Sequence, residues 1–104
     1  MLGLLLGKDY FYHATDETSR QTGSFQFRIA LIGFSYRAYV LDCPSLNGRS
    51  AALSDIHMFR DYRGRYYVCV IGKVRSADKM RAICRLWSKR YMRYVATGID
   101  FNQR

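Results

Sequence analysis

The stretch from Ser76 to Gly98 constrains the fold of this chain more than any other. Met80, Ile83, Cys84, Trp87, Tyr91, Tyr94 and Val95 recur at helical spacing, which draws one continuous apolar face on a 3.6-residue helix. Ser76 stands where an N-cap hydroxyl accepts from an otherwise unpaired backbone N–H. Asp78 falls in the first turn, where the helix dipole favours a carboxylate. Gly98 follows the last periodic residue, the position at which a left-handed residue commonly ends a helix. The opposite face carries Arg81, Arg85, Lys89 and Arg93 four residues apart, with Lys79 and Arg90 beside them. Like charges at that spacing repel. The rest of the protein, or a partner, has to offset the repulsion.

Upstream of this helix the pattern changes to strands. Phe25, Phe27, Ile29 and Leu31 alternate with Gln26 and Arg28, the period of two of a half-buried strand. Tyr36–Asp42 reads as its hairpin partner across Gly33-Phe34-Ser35. Asp9–His13 is a shorter aromatic strand candidate. Arg65–Ile71 has the strongest strand composition in the chain, being rich in aromatic and β-branched residues. Ile99–Phe101 reads as a short last strand.

Between these, Thr15–Ser24 contains no large apolar residue and reads as an exposed loop, holding the adjacent acids Asp16 and Glu17. Cys43–Ser50 holds Pro44 and the turn dipeptide Asn47-Gly48. Ala51–Asp61 is ambiguous between a helical turn and a strand, and Asp61–Gly64 reads as a tight turn. The apolar start, Met1–Gly7, is too short for a signal core or a membrane span and reads as a terminal strand or a plug against the core.

Strands followed by one long helix predict an α+β fold, with an antiparallel sheet of four to five strands and the helix on one face. The 104 residues, 49% apolar and 24% charged, suit a single small basic α+β domain with a real core. Cys43, Cys69 and Cys84 have no metal-ligand spacing. Their odd number argues against a disulfide framework and points to a reducing cytoplasm. Cys69 and Cys84 fall on apolar-periodic positions and are expected to be small buried hydrophobes.

Charge gives the functional expectation. Of the net +9, the first 52 residues carry +1 and the last 52 carry +8. So one-sided a field attracts phosphate backbones or an acidic protein face. The candidate contacts are Arg63, Arg65, Lys73 and Arg75 around the last strand, with Lys79, Arg81, Arg85, Lys89, Arg90 and Arg93 on the helix. Arg offers bidentate forks to phosphate and Tyr offers a stacking face to bases. The expected function is non-enzymatic binding of nucleic acid, DNA or RNA.

A second expectation is a protein-binding inhibitor or adaptor that docks on a nucleic-acid-handling complex. Anti-CRISPR and anti-restriction proteins of mobile elements share this small size and lack of motifs. Pairing through an open sheet edge would make a homodimer compatible with that reading.

A third is a small basic endoribonuclease, for which His57, Arg65, Tyr66 and Tyr67 are the residues to test. Asp55 and His57 would share one face of a strand. A membrane-surface role is set aside because Trp87 lies at the middle of the apolar stripe, where the sheet should cover it. No phosphate-binding loop, zinc motif or nucleophile elbow is present in the sequence, so no cofactor or metal is expected.

The octamer Arg63–Val70 coincides with the RNP1 motif of RNA-recognition domains at Arg63, Gly64 and Val68, with Tyr67 aromatic where Phe is expected. Arg65, Tyr66 and Val70 depart from it. No helix separates the strands at 25–32 and 36–42, as that fold requires, so no family is assigned.

Overall fold

The computed structural model describes residues 6–99 and 101. Among these residues, five strands, β1 (Lys8–Thr15), β2 (Thr22–Ile32), β3 (Ser35–Asp42), β4 (Met58–Arg60) and β5 (Tyr66–Val68), precede one helix, α1 (Ala77–Thr97). Every strand pairing is antiparallel, in the order β1-β2-β3-β5-β4. This is the expected α+β architecture. Residues 1–5, which include most of the anticipated N-terminal plug, lie outside the described residues. Leu6 is exposed.

The alternation of β2 sets the two faces of the sheet. Phe25, Phe27 and Ile29 are buried under the helix, whereas Gln26 and Arg28 point away from it. Gly33-Phe34 closes the β2–β3 hairpin, with Ile32 opposite Ser35. Leu31 departs from the expected pattern and is exposed. It lines a groove with Ala77 and Arg81 of the first helical turns, at the margin of what the helix covers.

Ser76 caps α1 by accepting from Lys79 N, and Gly98 adopts φ 76° while its N–H donates to Tyr94 O. A left-handed backbone costs a β-carbon-bearing residue about 1–2 kcal/mol, so glycine fits this stop. Met80, Cys84, Trp87, Tyr91, Tyr94 and Val95 are buried as the periodicity implies; Ser88 and Met92 join them, and Ile83 is half-buried.

The segment 43–57 clamps the helix onto the sheet. The phenol of Tyr91 donates to Pro44 O, and that of Tyr94 donates to Ser50 O at 3.0 Å. Arg49 reaches Val95 O at 3.3 Å and Ala96 O at 3.4 Å. It thereby places a cation at the negative end of a helix whose own last turn has none. Gly23 fits beneath this clamp because a β-carbon there would collide with Pro44 and Met92.

Five expectations are corrected. The exposed loop is shorter than the polar run 15–24, since β1 continues to Thr15 and β2 begins at Thr22. Polar side chains are tolerated at ladder positions that face solvent. Only Tyr66–Val68 of the strong 65–71 run is strand. Val70 packs on the core while Ile71 is fully exposed, because β composition reports fit to a half-buried surface and cannot supply ladder partners.

No strand forms at Ile99 or Phe101. Phe101 is a buried turn residue packed against His57, Tyr94 and Trp87. Asp55 and His57 lie in a turn rather than on a strand face, with His57 at φ 51°. Of the two cysteines expected inside, Cys84 is fully buried and Cys69 is half-buried. Cys43, Cys69 and Cys84 are all free thiols.

Candidate nucleic-acid interface

The outer face of α1 presents its cations as a ramp. Four residues rise about 6 Å, so Arg81, Arg85, Lys89 and Arg93 place one cation per step along the axis. That spacing is close to the separation of successive phosphates on an extended strand. Lys79, Arg85 and Lys89 are exposed, while Arg81, Arg90 and Arg93 are half-buried. Arg81 pairs with Asp78 one turn away. Arg85 donates to the Tyr10 hydroxyl at 3.1 Å, which ties the middle of the ramp to β1.

Lys73 and Arg75 extend this surface at the helix start. Both are exposed, and the residue between them, Val74, is buried and accepts from Tyr36 N at 2.7 Å. That contact fixes the two cations beside the positive end of the helix dipole. Among the described residues, no carboxylate lies within ion-pair distance of Lys73, Arg75, Lys79, Arg85, Lys89 or Arg90.

The far end of the ramp is compensated in a way that the helix sequence does not show. The β1–β2 loop brings Asp16 and Glu17 to one side of a groove of about 480 Å³, whose other side is Leu86, Lys89, Arg90 and Arg93. Asp16 is buried and accepts from Ser19 N at 2.8 Å, so this acidic loop is held in place. The counter-charges are tertiary neighbours rather than helical ones.

Arg63 and Arg65 do not join the ramp. Both belong to the β4–β5 turn, which is organised by Asp61. Its carboxylate accepts from Arg63 N, Arg65 N and Arg65 Nε, each at 2.9 Å, and from the Tyr39 phenol at 3.0 Å. Burial pushes the Asp61 carboxyl up, but these hydrogen bonds outweigh it and bring the pKa down to about 2. The Arg65 guanidinium also lies 5.3 Å from the centre of the Tyr39 ring. Tyr39 is buried on the sheet face turned away from the helix. Arg65 is therefore a strut of the opposite layer.

That open face carries two cations that helix-centred reasoning passed over, Arg28 and Arg37. A row crosses all five strands there in the order Asp9, Arg28, Tyr39, Tyr67, Phe59. Arg28 pairs with Asp9 at 2.6 Å. Arg37 stacks 4.1 Å from the Tyr67 ring centre and donates to the Tyr39 hydroxyl at 2.9 Å. The available signal was Arg at outward positions of alternating strands.

The four residues considered for RNA cleavage are not brought to one point. Tyr66 lines a groove with Tyr91 on the helix side, whereas Tyr67 lies beneath Arg37 on the other side. Arg65 is held by Asp61, and His57 stacks on Phe101 at 5.2 Å.

No helix among the described residues is long and apolar enough to cross a membrane. No protein-family model, curated protein or solved structure matches this chain.

Proposed function

We propose that this protein binds nucleic acid, without catalysing a reaction on it, through the ramp of α1 and the adjoining Lys73 and Arg75. The observation that carries the reading is the grouping of Lys73, Arg75, Lys79, Arg85, Lys89 and Arg90 on one layer, with no carboxylate within ion-pair distance of any of them among the described residues. Phosphates would release their condensed counterions to such a surface, so affinity for DNA or RNA should fall steeply as salt rises. Fluorescence anisotropy with labelled single-stranded and duplex DNA and RNA, titrated at several salt concentrations, tests this directly. Affinity that is flat in salt removes the reading.

One observation favours a second reading, an acidic protein surface. Ile71 and Leu86 are exposed and line a groove with Ile83, Trp87 and Arg90 beside the ramp. A phosphate backbone makes no use of such apolar side chains, whereas a protein interface places them at its centre and charges at its rim. A docking inhibitor or adaptor would use both. Capture of a protein partner that survives nuclease treatment and is weakened by Leu86→Asp distinguishes this reading from the first.

A further inference from the structure

The strand β1 forms one edge of the sheet, and past Asp9 nothing in its sequence protects that edge. All eight residues pair with β2 in unbroken register, and among the described residues no strand lies on the other side. Natural sheets blunt such edges with prolines, bulges, mid-strand charges or very short strands. The opposite edge, β4, does so by being only three residues long. β1 has no proline, glycine or bulge, and its two charged residues, Lys8 and Asp9, sit at one end. Phe11, at its middle, is 68% exposed on the open face.

The residues around Phe11 have a property that a two-fold interface requires. An isologous contact must be self-complementary, since each patch meets its own copy. About Phe11, Tyr10 mirrors Tyr12 and the acid Asp9 mirrors His13. We propose that β1 pairs antiparallel with β1 of a second copy of this chain, with the two-fold axis at Phe11. In this register Phe11 meets the partner's Phe11, Tyr10 meets the partner's Tyr12, and Asp9 faces the partner's His13. Lys8 falls opposite the partner's Ala14, next to the loop that carries Asp16 and Glu17. Antiparallel pairing thus brings Lys8 toward the acids of the partner's loop and Asp9 to the imidazole of the partner's His13. Pairing with a slip of one residue would set His13 opposite Tyr10 and lose the match.

The product is a continuous ten-stranded sheet with both helices on one face. Because Arg85 reaches Tyr10 on β1, each basic ramp runs beside this edge and the two ramps come to lie side by side. The net charge of +9 on each copy opposes association at low ionic strength, so moderate salt favours it.

The test is sedimentation velocity on protein freed of nucleic acid, from micromolar to several hundred micromolar at moderate salt, so its outcome does not depend on the binding reading. A concentration-dependent dimer is expected. Phe11→Lys, at an exposed position, should retain the far-UV spectrum and melting temperature but sediment as a monomer. His13→Asp, which sets like charges opposite Asp9 twice per dimer, should weaken association roughly fivefold or more. A wild-type chain that stays monomeric throughout overturns the proposal. So does a Phe11→Lys variant that dimerises as well as wild type.

Discussion

The indole Nε1–H of Trp87 donates to the backbone carbonyl of Ile56 at 3.0 Å. The donor sits in the middle of α1 and the acceptor in the loop ahead of β4, so one hydrogen bond joins the helix to the segment that clamps it. The same ring meets Phe25 and Phe27 edge-on, each at 5.9 Å, and lies 6.0 Å from Phe101. Helix, sheet, loop and C-terminal turn meet at this side chain.

Trp87→Ala should therefore cost about 3–5 kcal/mol, through reduced burial and the cavity it leaves. Trp87→Phe isolates the polar part of the effect. It keeps much of the apolar contact but strands the Ile56 carbonyl, for about 1–3 kcal/mol. Urea denaturation measures both. A negligible cost for the alanine variant would place Trp87 outside the core.

Reversing two charges on the ramp should separate binding from folding. Arg85→Glu with Lys89→Glu is expected to lower nucleic-acid affinity by tenfold or more. For every phosphate that is no longer neutralised, the slope of log K against log salt should become shallower by about 0.9. Both side chains are exposed, so stability should change by no more than about 0.5 kcal/mol per site. Unfolding of the double variant would assign the stripe a structural role.

Asp61 should dominate the difference between wild type and Asp61→Asn in acid. Its folded pKa of about 2 lies below the ordinary value of 3.8, so the fold favours the carboxylate. That stabilisation is complete above about pH 4 and is lost as pH falls through about 2. Asp61→Asn should cost roughly 1.5–3 kcal/mol at neutral pH, as expected for charge-assisted hydrogen bonds. The deficit should shrink between pH 4 and pH 2 in acid-unfolding curves. A constant deficit across that range would contradict the network around Tyr39 and Arg65.

Thiol labelling should sort the cysteines by burial. Desolvation pushes the Cys84 thiol up to about 12, while Cys43 and Cys69 are raised less by partial burial. Since the thiolate is the nucleophile, Cys84 should stay unmodified by a thiol reagent in the native state near pH 8. It should react at once in denaturant. Native-state mass spectrometry showing rapid Cys84 modification would mean that the helix lifts from the sheet far more often than its packing allows.

The local signals in the sequence correspond closely to the elements that form. Ser76, Gly98 and the periodicity between them define α1 because capping and face burial depend on neighbours within one or two turns. The β2–β3 hairpin was legible for the same reason, with alternation on either side of Gly33-Phe34. The strand at 65–71 shortens to three residues because ladder length depends on partners, and β4 offers only three. Phe101 lies in a turn and not in a strand because its aromatic character reports burial, not backbone pairing.

The candidate surface divides along the same line. That α1 carries a cationic face opposite an apolar one is written in the order of residues 76–98, because helix geometry alone sorts the side chains. Which cations belong together was decided only in three dimensions. Arg65 and Arg81 are close in sequence, yet the chain passes from the sheet to the helix layer between them, and Asp61 with Tyr39 holds Arg65 on the far side. Asp16 and Glu17 are distant from the helix in sequence but flank its basic end, since β1 runs beneath it. Sequence spacing sets what one element displays; charge pairing acts through space, and only the tertiary fold sets those distances.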